Sequence, residues 1–341
     1  MDQAYYLWLR FMRLLLVLVG LSIIIFVVAR LVPGDPARIA LGPLATPQQV
    51  QALHIKMGLD QSIVVQYFDY VTNLFHGDMG QSTVTDRPVL TDIIQALPAT
   101  LELVIISVFF TAFIGMPLGI LAAYKPNGVF DQFSRIFSLV GVVTPSFLIA
   151  LVLQLIASLG WIDLPVTERV SASLNYHPGS TGLIFIDSAL QGRWDVWLNA
   201  LQHILLPAIA LSAAGISQVM RITRSSMIEF SHREHVETLR ACGVSKRKVN
   251  FKYLLRLSAS APLTILGLEF ASLIGNAFVV EMVFSWPGVA SYGVRSILHK
   301  DFNAVIGVVL VSGVFFIVIN LLIDFVIGLV DPRVKLKGLS S

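Results

Sequence analysis

Uncharged apolar runs long enough to cross a bilayer recur along these 341 residues. A hydrocarbon core of about 30 Å asks for roughly 20 apolar residues of helix. Runs of suitable length occupy Leu14–Ala29, Leu103–Tyr124, Ile136–Ile162, Ile204–Met220 and Phe302–Ile323. The first is short, but Arg13 and Arg30 flank it and can snorkel to the headgroups. A sixth run, Leu257–Phe284, is interrupted by Glu269 and Glu281. The expected fold class is all-α: a polytopic membrane protein of about six transmembrane helices, with both termini on one side.

Charge supports this reading and orients it. Only 13% of the residues are charged, against about 25% in soluble domains, too few to cover a soluble surface of this size. Sixteen of the 24 Lys and Arg fall on one side of the predicted topology: Arg10 and Arg13, Lys125 and Arg135, nine between Arg221 and Arg256, and Arg333, Lys335 and Lys337. Eleven acids fall on the other side and six on this one. The positive-inside rule then predicts cytoplasmic termini and two long outward-facing connections, 30–98 and 163–202. Both are rich in Pro, Gly, Asp and Asn, with weak helical segments such as Pro47–Met57. The basic balance is topology, and it excludes a nucleic-acid partner, which would need a basic stripe on a soluble face. The predicted organisation is an N-terminal transmembrane helix (1–30), an extracytoplasmic loop region (31–98), a transmembrane core (99–335) and a cytoplasmic tail (336–341). The N-terminus resembles a signal peptide, but no small-residue cleavage site precedes Arg30, Leu31, Val32 and Pro33, so it is read as a retained first helix. The single cysteine, Cys242, cannot form an internal disulfide.

The stretch from Arg221 to Arg256 sets Val236, Leu239 and Val244 among many charges. Its spacing predicts two short helices meeting at Gly243, the residue type that tolerates a positive φ at a helix end. Such a segment fits two roles. One is a basic amphipathic loop on anionic headgroups. The other is a docking element for a cytoplasmic partner, with Val236 and Leu239 as apolar anchors and Glu237 and Arg240 as polar guides.

Ionisable groups inside spans are costly and usually functional. Glu269, Ser272 and Asn276 are spaced i, i+3, i+7 and share one helix face. They read either as the polar wall of a translocation pathway or as interhelical hydrogen-bonding groups. Glu281 is placed at the outer mouth, lining it or simply solvated, while Glu102 and Asp324 are assigned to structure. Trp286, Pro287 and Gly288 fit a turn after the fifth span, with Trp286 in an interfacial belt. Gly115 and Gly119 form a G-x-x-x-G, which brings helices together, while Pro117 between them offers a kink instead. His203 and Pro207 are placed at the start of the fourth span. The seven histidines are scattered and give no metal site. No lysine follows a glycine and no Gly-x-Gly occurs, so the chain has no phosphate cradle and no catalytic residues are assigned.

Seven blocks carry a resemblance over nearly the whole length: Val32–Pro36, Gly77–Ser82, Pro98–Leu103, Gly115–Gly119, Arg221–Met227, Phe284–Gly288 and Asp331–Arg333. In order and spacing the chain resembles the dipeptide/oligopeptide/nickel branch of binding-protein-dependent ABC importer permeases. The resemblance implies the type I importer architecture in a bacterial inner membrane. Its cytoplasmic loop carries a Glu-Ala-Ala-x-x-x-Gly motif; here Glu237 and Gly243 hold its ends, and Thr238 and Leu239 replace the alanines. By that likeness Val236, Glu237, Leu239, Arg240 and Gly243 would couple to an ATPase. The expected partners are a homologous second permease, two ATPase subunits, an extracytoplasmic solute-binding protein and membrane lipid. ATP and Mg2+ would act on the partner subunits, and this chain would bind no cofactor. Expected cargo is di- or oligopeptides; nickel complexes, opines and oligosaccharides are the alternatives. A secondary transporter is the rival class, but neither inverted repeats nor paired midplane acids are visible.

Overall fold

The computed structural model describes residues 3–31, 36–41, 45–56 and 58–330. Of the sequence blocks, Val32, Pro33, Gly34, Asp35 and Asp331–Arg333 lie outside the described residues, as does the tail 336–341. In chain order the first helices are α1 (Gln3–Leu31), α2 (Pro36–Leu41), α3 (Pro47–Lys56), α4 (Ile63–Phe75), α5 (Val89–Phe110) and α6 (Met116–Tyr124). Then come α7 (Val129–Val143), α8 (Ser146–Ser158), α9 (Ile184–Leu190), α10 (Trp194–Ser231) and α11 (Glu234–Ala241). The last are α12 (Lys246–Lys248), α13 (Leu255–Ser258), α14 (Ser260–Val283), α15 (Val289–Leu298) and α16 (Phe302–Val330). A π-helical turn, Thr111–Gly115, joins α5 to α6. The fold is all-α; among the described residues the β pairing is one isolated bridge, Gln81 to Pro88.

Among the described residues, four helical stretches are long and apolar enough to cross a membrane: Val89–Tyr124, Trp194–Ser231, Ser260–Val283 and Phe302–Ile323. The pair α7 and α8 makes a fifth if counted as one span, and Leu15–Val28 within α1 is a shorter apolar stretch. The single helix expected over Ile136–Ile162 is instead a broken pair, α7 and α8, bent by 104°. The cause is Pro145, which forces Thr144 before it into an extended conformation with ψ 121°. The fourth span is also longer than its apolar run. It begins at Trp194, with Asp195 in the first turn, where a carboxylate complements the helix dipole. His203 and Pro207 thus lie inside this helix rather than at its start.

The chain divides into two compact units. One contains the chain up to Pro98 with Gly288–Ile317, the other Ala99–Pro287 with the residues from Val318 onward. In the first, Phe26 on α1 is buried edge-on against Tyr67 of α4, 5.4 Å between centroids. Ile306 and Leu310 of α16 pack with Ile25, Tyr70 and Leu74. Buried Asp301 precedes α16 and accepts hydrogen bonds from Ser82 Oγ (2.5 Å) and Thr83 N (2.8 Å), fixing the Gly77–Ser82 block.

In the second unit α10 is the central post, packed by α6, α7, α8 and α14. Gly119 explains the approach of α6: a Cβ there would lie 2.6 Å from the Met220 carbonyl oxygen and from Thr223 Cβ. The G-x-x-x-G is therefore a packing stripe, as the first of its two readings expected. Trp286 is fully buried and its indole Nε1 donates to the Ala99 carbonyl at 2.8 Å, so it does not sit in an interfacial belt. His203 is a buried structural histidine, with Nδ1 2.8 Å from the Thr167 carbonyl and Nε2 3.1 Å from Ser171 Oγ.

Candidate functional site

The predicted helix–glycine–helix after the fourth span is present, although residues 221–231 belong to α10 itself. Glu234 and Glu237 lie in the first turn of α11 and Arg240 in the last, the charge order that the helix dipole favours. The helix ends on Gly243 at φ +77°. The Gly243 amide donates to Arg240 O (3.0 Å) and the Val244 amide to Leu239 O (3.1 Å), the paired bonds of a Schellman cap. Its usual apolar contact is present too, since Leu239 and Val244 pack against the same cluster. That cluster contains Val236, Val249 and Leu254 together with Ile120 of α6 and Met227 of α10. Lys246 Nζ lies 5.1 Å from the centre of the Tyr124 ring, a cation–π contact at the end of α6.

Val236 therefore does not offer itself as an exposed anchor. It is fully buried against its own chain, and Leu239 is half-buried beside it. The reason is periodicity. Val236 and Leu239 share one face of α11, the Schellman turn folds Val244 back beside Leu239, and α6 and α10 supply the surface that covers them. Glu237, Thr238, Arg240 and Gly243 remain exposed on the outer face, continuous with Lys246, Arg247 and Lys248.

The polar stripe on α14 divides differently. Ser272 and Asn276 are exposed on the face that also carries Leu268, Gly275 and Val279. Glu269 is half-buried, and Ser272 Oγ donates to its backbone carbonyl (3.0 Å) and to its carboxylate (3.4 Å). A Cβ on Gly215 of α10 would lie 3.3 Å from Glu269 Oε2 and 3.0 Å from Thr111 Oγ1. The acid thus lies over a glycine beside the π-helical turn. Glu281 is not at a mouth. It is fully buried and accepts a hydrogen bond from Thr100 Oγ1 at 2.6 Å. Five residues beyond Asn276, it is turned roughly 140° from that face at about 100° per residue.

Glu102, assigned to structure, is buried in an ion pair with Arg169 and accepts from the Phe185 amide at 3.0 Å. The side chain of Asp324 lies outside the described residues. Sequence reasoning gave no role to Asp131 and Arg224, which the structure joins. Asp131 is buried at the start of α7 and takes Arg224 Nη2 at 2.8 Å and Arg135 Nη2 at 3.1 Å. Their signal is that each stands within a few residues of an uncharged run, where an isolated charge needs a partner. Among the described residues no group of His, Cys, Asp and Glu could hold a metal ion.

This arrangement offers a polar helix face and a peripheral element bolted to two spans. Residues 115–336 match the family described as binding-protein-dependent transport system inner membrane component, and residues 4–104 match its N-terminal companion. Among curated proteins, the chain is 35% identical to the dipeptide transport system permease protein DppB of Alkalihalophilus pseudofirmus, over 96% of this chain and 98% of that one. It is 34% identical to the di/tripeptide transport system permease protein DppB of Pseudomonas aeruginosa, over 93% and 94%. It is 32% identical to the dipeptide transport system permease protein DppB of Escherichia coli, over 94% and 95%. With helices able to cross a membrane and this match along nearly its whole length, the chain belongs to the binding-protein-dependent inner-membrane permeases and is a multi-pass membrane protein.

Proposed function

We propose that this chain is one permease half of an ATP-driven importer that takes di- or oligopeptides from an extracytoplasmic solute-binding protein. The observation that carries the cargo is the name shared by relatives that align end to end with it: each is a dipeptide or di/tripeptide permease. In this reading a homologous second permease completes the pathway and two cytoplasmic ATPase subunits supply the energy. ATP and Mg2+ act on those subunits and this chain binds no cofactor. Both termini face the cytoplasm, as the distribution of Lys and Arg favours.

The exposed face of α11, with Glu237, Arg240 and Gly243, meets the ATPase. Val236 and Leu239 serve it from beneath by fixing α11 to Ile120 and Met227. A push on α11 then reaches α6 and α10 through packed side chains. Alternating access requires that these contacts differ between two states, since ATP can bias only what it binds differently. Ser272 and Asn276, with Glu269 beside them, line the half of the pathway that this chain contributes; Glu281 supports the helix from its buried side.

The experiment is reconstitution of the whole importer in proteoliposomes with labelled dipeptide. Uptake that needs both ATP and the binding protein is the expected result. Uptake driven by an ion gradient without ATP would overturn the importer reading. ATP-dependent uptake of nickel or an oligosaccharide in place of peptide would overturn the cargo. Transport that survives removal of residues 231–246 would overturn the coupling role.

A further inference from the structure

Three arginines and one carboxylate meet where α7 and α10 leave their apolar stretches. Asp131 answers two of them, Arg224 and Arg135, and also accepts from the Asn127 amide at 2.8 Å. Arg221 lies one turn before Arg224 and four residues before Ser225, on one face of α10. It is exposed and, among the described residues, has no carboxylate partner. One negative charge against three positive ones leaves this corner with a surplus of two.

Between these side chains lies a cavity of about 230 Å³, lined by Ser134, Arg135, Ser138, Met220, Arg221, Arg224 and Ser225. That is room for far more than one water, whose share of the liquid is about 30 Å³. Ser134 and Ser138 spend their hydroxyls on their own helix, donating to Asp131 O (2.9 Å) and Ser134 O (2.5 Å). The exposed Ser225 hydroxyl has no hydrogen-bond partner among the described residues. A purely structural network accounts for Asp131, Arg224 and Arg135. It leaves Arg221, Ser225 and the cavity unused.

Depth identifies the ligand. The uncharged run on α10 ends at Met220 and the one on α7 begins at Ile136, so both helices turn from apolar to cationic at this cavity. In a bilayer that boundary is the headgroup layer, and basic pockets between spans there take anionic headgroups. A guanidinium presents a planar fork that matches phosphate oxygens two at a time. We propose that this cavity is a binding site for a phosphate-bearing anion, occupied in the membrane by the headgroup of an anionic phospholipid. Arg221 and Ser225 take the phosphate oxygens and the half-exposed Arg135 closes the far side. The site needs no assumption about which face of the membrane it serves, and it stands apart from the cargo and coupling readings.

Native mass spectrometry of the full importer, titrated with phosphatidylglycerol, tests this. Arg221→Gln should weaken the tightest retained phosphatidylglycerol by about tenfold, the loss expected for one charge-assisted hydrogen bond. Arg221→Gln with Ser225→Ala should abolish its retention, while Arg247→Gln, on the exposed coupling segment, should change nothing. Phosphatidylcholine should not be retained in either protein. Displacement of the lipid by millimolar inorganic phosphate would support the same site with free phosphate as a second source. Unchanged retention in Arg221→Gln, or equal retention of phosphatidylcholine, would overturn the proposal. Because Arg221 is exposed and unpaired, a melting temperature equal to that of the unaltered chain is expected and separates a binding loss from misfolding.

Discussion

Two apolar helices of the second unit, α10 and α14, meet opposite fates. In its most apolar stretch α10 is 72% buried by its own chain and α14 only 33%. Its buried side combines large apolar residues such as Ile204, Leu211 and Met220 with close or paired contacts: Gly215 beneath Glu269, Ser217 against Gly141, and Arg224 on Asp131. On α14 the face with Leu268, Ser272, Gly275, Asn276 and Val279 is exposed among the described residues, and a Cβ on Gly275 would meet open space. One helix is largely covered within the subunit, and the other keeps an open face. Hydropathy cannot distinguish them, because lipid, protein and cavity all accept an apolar helix.

Substitutions can break that contrast, and the largest effect is expected at the ion pair that ties α7 to α10. Asp131→Asn leaves the Arg224 guanidinium without its charge partner and should destabilise the protein by about 3 kcal/mol, the usual cost of removing one member of a buried pair. A fall in melting temperature in detergent would show it, and a melting curve identical to that of the unaltered protein would contradict the pairing. Gly119→Val drives a branched side chain into the Met220 carbonyl and should cost about 2 kcal/mol by overpacking. Size-exclusion profiles and thermal melts of that variant should deteriorate together.

Smaller losses should follow at the periphery. Val236→Ala removes two methyl groups from a fully buried site outside the spans, about 1.5 kcal/mol. Its sharper readout is coupling: basal ATP hydrolysis by the assembled importer should persist while stimulation by loaded binding protein falls. Glu237→Lys, on the exposed side of the same helix, should leave the melt unchanged and weaken co-purification with the ATPase. A similarly small effect on stability is expected for Ser272→Ala with Asn276→Ala, within about 0.5 kcal/mol, because an exposed face carries little packing. Initial uptake rates of that double variant should nevertheless drop severalfold. A variant that lost stability but kept full transport would place the open face of α14 in packing rather than in the pathway.

Much of this architecture was legible in the amino acids. Charge-free runs marked the helices, and Gly243 marked a turn that its Schellman bonds then explained. What escaped was set by partners distant in sequence. Val236 looks like an anchor until Ile120 and Met227 cover it. Glu281 shares a helix with Glu269 but not a face, and only Thr100, 181 residues away, shows which way it points. Trp286 resembles an interfacial tryptophan because its acceptor, Ala99 O, is equally remote. The bend at Pro145 was visible as a proline but hidden by the apolar residues on both sides, which hydropathy joins into one run. The early start of α10 was masked by the polar and aromatic residues of its first turns. There Val196 and Ala200 find their core only in Ile184 and its neighbours.

The length of α10 has a mechanical consequence. At about 1.5 Å per residue its 38 residues extend roughly 57 Å, nearly twice the apolar thickness of a bilayer. Near one end Val196 and Ala200 are embedded in the cluster with Ile184, and near the other Met227 is embedded with Val236. A stiff strut gripped at both extremities cannot tilt at one without displacing the other. News of a nucleotide on one side would then reach the opposite side along a single piece of backbone, with Pro207 as its one built-in point of give.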